Sequence, residues 1–231
     1  MGTFLDGTFP PGSVLPAERE LAPQLGVTRP TLREALRRLE RDGWIRIQQG
    51  KPTQVTDFWR EGGLNVLGGL VRYGHRLPPH IIPNLLEARR ALAPAYTLAA
   101  VERGAPEVAA LLEGHVSLPD EAGAYAIFDW EVHHALTLAS GNPVYTLILN
   151  GFSGIYERVA TMYFAQPEAR EASRGFYGAL LEVTRLGDAA AAERLTRAVM
   201  HGSIALWRRA NAGPAACPEA DPEACPEAAE R

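Results

Sequence analysis

A chain of 231 residues with 46% hydrophobic and 22% charged positions has the make-up of a globular protein, and no run of ~18 apolar residues is present to cross a membrane. Its two cysteines, Cys217 and Cys225, sit in a Pro/Ala/Glu-rich end, which excludes a disulfide framework and a C-x-x-C metal knuckle; with no basic-then-apolar leader pattern, a cytoplasmic protein is expected. The net charge of −4 is unevenly spread: residues 1–60 carry nine Lys/Arg against seven Asp/Glu, leaving −6 for the remainder, so a mildly basic module precedes an acidic body.

Residues 9–16, Phe-Pro-Pro-Gly-Ser-Val-Leu-Pro, are turn-rich and lead into a helical segment at 17–26, where Leu21 and Leu25 lie one turn apart and Gly26 is a stop. Pro23 opposes that helix unless it falls in the first turns. Thr28 is an N-cap and Pro30 a first-turn proline for a second helix that Gly43 ends. Leu32, Leu36 and Leu39 form its apolar stripe, and Arg29, Arg33 and Arg37, spaced by four, form a cationic one. Helix, short turn, helix is helix-turn-helix spacing.

Two short β-prone runs, Trp44–Gln48 and Thr53–Thr56, flank Gln49-Gly50-Lys51-Pro52 and predict a hairpin directly after the second helix. That hairpin is a wing, which makes residues 1–57 a winged helix-turn-helix domain. Residues 58–76, with glycines at 62, 63, 68 and 69, read as short linker helices, with a domain boundary near 77.

From residue 80 the periodicity is helical throughout. The signals predict a helix from Ile81 to Arg103 kinked at Pro94, and another capped by Asp120 that runs to Ser140 and stops at Gly141. A third opens at Asn142-Pro143 and reaches Tyr163, a fourth runs from Pro167 to Gly187, and a last one runs from Asp188 to about Ala210. No strand pattern follows residue 57. The expected fold class is therefore α with a small β wing: an N-terminal winged helix-turn-helix plus a C-terminal all-α bundle of six or seven helices over 77–211, which the resemblance given below makes the effector-binding domain. Residues 212–231 are expected to be a disordered acidic tail.

Arg29 and Arg33 lie where a recognition helix reaches base edges, and guanidinium can pair with guanine O6 and N7. Thr28, Thr31 and Arg19 suit phosphate contacts, while Gln49, Gly50 and Lys51 at the wing tip suit the minor groove. In the bundle, Asp129 and His133 are four apart and could offer two metal ligands, but no third histidine joins them; a hydrogen-bonded pair is the expectation, with no metal. Tyr156, Met162, Tyr163, Tyr177, Ser203 and Trp207 are core or cavity wall, and Arg89, His133, His201 and Ser203 add the few polar groups a ligand site needs. A nucleophile with a positioned base is missing from the sequence motifs, so an enzyme is not expected.

Phe9-Pro-Pro-Gly-x-x-Leu-Pro-Ala-Glu-Arg-Glu-Leu, Gly26-Val-Thr-Arg-x-Thr-Leu-Arg-Glu-Ala-Leu-x-Arg-Leu-x-Arg-Asp-Gly-Trp and Gln48-x-Gly-Lys-Pro-Thr resemble the DNA-binding domain of GntR-family regulators. Asn84-Leu-Leu-Glu-Ala-Arg89, Ala139-Ser-Gly-Asn-Pro-Val-Tyr-x-Leu-Ile-Leu-Asn-Gly151, Tyr163-Phe-Ala-x-Pro-Glu-Ala-Arg170 and Gly175-Phe-Tyr177 extend the resemblance to the acyl-CoA-responsive, fatty-acid-metabolism branch of that family. The resemblance implies that the eight N-terminal residues named above contact DNA. It also implies that Arg89, Tyr156, Tyr163, Ser203 and Trp207 hold the effector, a long-chain fatty acyl-CoA, with no other cofactor. A homodimer on a pseudo-palindromic double-stranded operator, away from membranes, completes that picture. Metal-binding relatives in the family sense a metal-bound small carboxylate, the alternative; they use histidines where this chain has Tyr177 and Val199. Against the family pattern the sequence starts about one helix late, since residues 1–8 replace only the end of a first helix, and an upstream start is expected to supply the rest.

Overall fold

In the computed structural model, residues 2–73, 80–104 and 106–211 are described. The predicted boundary near 77 and the tail with Cys217 and Cys225 lie outside the described residues.

A four-residue helix, α1 (Gly2–Leu5), sets Phe4 against Phe9 and Trp44, with ring centroids 6.5 and 6.3 Å apart. Next comes α2 (Glu18–Gln24), in which Pro23 is the sixth of seven residues; its missing N–H falls where the helix is already closing. The Thr28 hydroxyl accepts from the Thr31 amide at 3.4 Å and opens α3 (Arg29–Arg41), and Gly43, at φ +86°, turns the chain out of it. Strand β1 (Ile45–Arg46) pairs antiparallel with β2 (Gln54–Val55), Ile45 opposite Val55, and Val14 bridges Gln54 on the outer side. Leu32 and Leu36 from α3, Trp44, Ile45 and Val55 from the wing, and Ala22 from α2 close one apolar core. Removing these side chains from water is what holds so short a hairpin in place, since two paired residues per strand cannot.

The linker segment contains one helix among the described residues, α4 (Asn65–Tyr73), rather than several. The bundle then comprises α5 (Ile81–Glu102), α6 (Pro106–Leu112) with a 3-10 turn at Glu113–Ser117, α7 (Ala122–Ala139), α8 (Pro143–Gly151), α9 (Ser153–Phe164), α10 (Pro167–Arg185) and α11 (Ala189–Asn211). Helix α5 runs as one element through Pro94 and packs along α11 and α7; α9 lies on α7, and α10 on α11 and α6. Gly141 and Gly187, both at positive φ, end α7 and the α10 segment.

Two expectations are corrected. Asp120 does not cap α7: Glu121 occupies that position without a side-chain bond, and the Asp120 carboxylate instead accepts from Arg170 Nε at 2.7 Å, tying the start of α7 to α10. The helix expected from 143 to 163 is two, broken at Phe152. At the break Gly151 lies against the Leu64 side chain, closer than an added Cβ would allow, and Phe152 lines a cavity. Among the described residues no helix is long and apolar enough to cross a membrane.

Candidate DNA interface and effector cavity

All eight residues expected to face DNA are exposed: Arg19, Thr28, Arg29, Thr31, Arg33, Gln49, Gly50 and Lys51. Helix α3 presents Arg29, Arg33 and Arg37 outward because Leu32 and Leu36 are drawn into the core beneath them. Thr28 and Thr31 share a hydroxyl hydrogen bond of 2.9 Å at the helix start, and Arg19 pairs loosely with its neighbour Glu20. At the wing tip Gly50 takes φ +76°, which lets the Lys51 amide return to the Gln48 carbonyl at 3.0 Å and projects Lys51 into solvent. The sequence pattern missed Glu18. Its carboxylate accepts from Arg33 Nη2 at 2.6 Å. Hydrogen bonding to Arg33 outweighs partial burial and holds that carboxyl below its ordinary range.

The bundle interior holds a charged knot. Arg89 Nη2 donates to Asp129 Oδ2 at 2.6 Å, Tyr177 donates to Oδ1 at 2.9 Å, and Tyr156 donates a short bond to Oδ2. One turn on from Asp129, His133 is buried with Nδ1 2.7 Å from the Tyr96 hydroxyl and Nε2 3.7 Å from Asp129 Oδ1. Burial alone would raise the Asp129 carboxyl, but the Arg89 guanidinium and the two tyrosine hydroxyls hold it below the ordinary range. Burial, followed by the charge of Arg89, pushes His133 down to about 3 despite Asp129, so this imidazole is neutral at pH 7. Among the described residues Arg89 Nε and His133 Nε2 are buried without a hydrogen-bond partner. They are the polar groups left to meet a guest molecule or ordered water.

A cavity of about 90 Å³ adjoins this knot, lined by Arg89, Tyr96, His133, Tyr145, Tyr156 and Tyr163 on its polar side. Its other walls are aliphatic or aromatic, from α5, α8 and α9. Of the five residues that the resemblance assigns to the effector, three thus meet here, Arg89, Tyr156 and Tyr163, and His133 joins them. Trp207 lies across Tyr163 in a separate hollow of about 260 Å³ with Gln166, Glu168 and Arg209, so Tyr163 lines both spaces. Ser203 is buried on α11 with its hydroxyl donated to the Met200 carbonyl at 2.8 Å, and lines neither. Met162 is exposed, and His201 faces an outer cleft beside Arg90 and Arg197. Tyr96 belongs to the knot although the sequence pattern did not name it; Asp129 was named only as the hydrogen-bonded partner of His133, and Tyr177 only among the core or cavity-wall aromatics.

As for metal, the Asp129 carboxylate is occupied by Arg89, Tyr156 and Tyr177, and no group of three or more His, Cys, Asp or Glu side chains converges among the described residues.

The two halves share walls. Leu85, Phe152, Ile155 and Val159 line the cavity and also pack against the apolar core that contains Val66, Phe58 and Trp44. Residues 4–55 match the family described as bacterial regulatory proteins, gntR family, and residues 56–213 match the FadR C-terminal domain. The chain belongs to the GntR family. It is similar to the fatty acid metabolism regulator protein of Klebsiella pneumoniae subsp. pneumoniae, 45% identical over 201 residues that cover 87% of this chain and 84% of that one. The protein of the same name from Shewanella frigidimarina is 49% identical over 172 residues, covering 74% and 72%. Among solved structures, Streptococcus agalactiae GntR is 24% identical with a TM-score of 0.45, covering 89% of this chain and 93% of that one. As a GntR-family transcriptional regulator with a winged DNA-binding module, the protein is not an enzyme.

Proposed function

We propose that this GntR-family regulator controls genes of fatty-acid metabolism and leaves its operator when a long-chain acyl-CoA binds the helical domain. The regulator works as a homodimer, each winged module reading one half of a pseudo-palindromic site through Arg29 and Arg33, with Arg19, Thr28 and Thr31 on phosphates and Gln49, Gly50 and Lys51 in the minor groove. The observation that carries the reading is the shared wall: the apolar cavity beside Arg89 and Tyr156 is bounded by Ile155 and Phe152, which also pack on the core of the DNA-binding side. Ligand cavities run to about 300–1,000 Å³, so a long acyl chain cannot enter about 90 Å³ without pushing those walls apart. A guest that enlarges the cavity favours a different seating of α4 and the winged module, and its differential affinity for the two seatings sets the response. Arg89, His133, Tyr156 and Tyr163 meet the thioester end of the chain, and Trp207 on α11 flanks the route on the other side of Tyr163. The names of the relatives support the assignment to fatty-acid metabolism.

The test uses a duplex enriched by the protein itself from random-sequence DNA. Titrating that complex with acyl-CoAs of increasing chain length should release the DNA, with the longer chains acting at lower concentration. Release by citrate plus zinc, with none by any acyl-CoA, would replace this reading with the carboxylate-sensing one.

A further inference from the structure

A carboxylate on a face meant for phosphates opposes its neighbours, and Glu18 does so within the cationic stripe of α3. It opens α2, and its two oxygens take the side-on edge of Arg33: Nη2 to Oε2 at 2.6 Å, Nε to Oε2 at 3.2 Å and Nε to Oε1 at 3.3 Å. The partners are fifteen residues apart in sequence, so the contact spans the two helices of the motif rather than one helix face. A guanidinium held by Nε and Nη2 still has its end-on edge, Nη1 and the outer hydrogen of Nη2. That edge is the one that pairs with O6 and N7 of guanine.

We propose that Glu18 is a positioning residue that dedicates Arg33 to reading a guanine. This rests on the assignment of Arg33 to a base edge. An arginine without such a buttress samples many rotamers and pairs as readily with a phosphate as with a base. Glu18 fixes the plane of the guanidinium, occupies the edge a phosphate would take, and repels phosphate by its own charge. Its effect therefore has opposite signs on two kinds of DNA: it strengthens binding to the right sequence and weakens binding to any other.

The experiment compares two probes of equal length, a duplex enriched by the wild-type protein from random DNA and an unselected random duplex. For Glu18→Gln, affinity for the enriched duplex should fall about five- to tenfold while affinity for random DNA rises, with a salt dependence on random DNA steeper by up to about one counterion. Glu18→Asp, which keeps a carboxylate on a shorter arm, should recover part of the lost discrimination. In an Arg33→Ala background, Glu18→Gln should leave the ratio of the two affinities unchanged. If Glu18→Gln shifts both probes equally, the carboxylate is only a charge on the surface and the proposal fails while Arg33 can still read a base. If Arg33→Ala itself leaves the ratio intact, the base-reading role of Arg33 fails and the proposal falls with it. Circular dichroism of each variant separates these outcomes from loss of the winged fold.

Discussion

Arg89 on α5 and Asp129 on α7 meet at 2.6 Å inside the bundle, the arginine side chain 19% exposed and the aspartate 3%. Two tyrosine hydroxyls, of Tyr156 and Tyr177, give the carboxylate two further hydrogen bonds, the kind of support a buried ion pair needs to be tolerated. Removing one partner strands the other charge in the interior at a cost of about 3–5 kcal/mol. Asp129→Ala should accordingly lower the melting temperature by on the order of 10 °C. Arg89→Leu/Asp129→Leu, with no charge left behind, should melt well above either single substitution. Thermal denaturation of all three decides it, and a double variant no better than the singles would refute the ionic account.

Acid should weaken the fold earlier than carboxylate protonation alone explains. His133 titrates at about 3 in the folded protein against an ordinary 6.5, so between those values the unfolded chain takes up a proton that the native one refuses. Its contribution is complete above about pH 6.5 and is lost as pH falls toward 3, with a slope of up to about 1.4 kcal/mol per unit. Asp129, also held below its ordinary value of 3.8, adds a loss in the same direction only below that value. His133→Gln removes the first loss and keeps the second. Urea unfolding of wild type and variant at pH 7, 6, 5 and 4 should give stability curves that converge toward acid; parallel curves would mean that His133 is not the group responsible.

The local signals in the sequence were strong where a single residue sets the backbone. Thr28, Gly43, Asn142-Pro143, Pro167 and Gly187 each fix a helix end through a cap, a first-turn proline or a positive φ, and each end falls where the spacing predicts. Asp120 escaped because a distant partner decides it: Arg170 takes its carboxylate away from the cap. The same holds for the site. Arg89, His133, Tyr156 and Tyr163, which line the cavity, were named from residue type and resemblance, whereas Glu18 and Tyr96 stand out only through contacts fifteen and thirty-seven residues away. A periodicity cannot contain such contacts.

Arg19, proposed for a phosphate, and Lys51, proposed for the minor groove, should both behave unlike Arg33. Among the described residues Arg19 is paired only with exposed Glu20, and Lys51 projects from the wing, so neither charge is committed to the fold. Arg19→Ala and Lys51→Ala should each weaken binding to enriched and random duplexes by similar factors and reduce the salt slope by about one. Affinity measured at several salt concentrations on both probes tests this. A loss confined to the enriched duplex would make either residue a base reader instead.

The contact of Leu64 with Gly151 offers a way to cut the line between ligand and DNA without touching either. Helix α4 packs on α9, where Gly154 lies so near Gly68 that an added Cβ would sit 3.7 Å from its Cα, and Leu64 closes the same seam over Gly151. A side chain at 151 would push Leu64 away, a strain of about 1–3 kcal/mol that the linker relieves by reseating α4. Under the proposed function coupling is reciprocal, so the factor by which acyl-CoA weakens DNA binding would equal the factor by which DNA weakens acyl-CoA binding. Gly151→Val should shrink both factors together, from the roughly 5- to 150-fold typical of coupled sites to a few-fold, while acyl-CoA affinity without DNA changes little. Leu64→Ala/Gly151→Val, which returns the space, should recover part of the response. Calorimetric titration of acyl-CoA with and without the enriched duplex gives both factors. A full response in Gly151→Val would show that the seam between α4 and the bundle carries none of the signal.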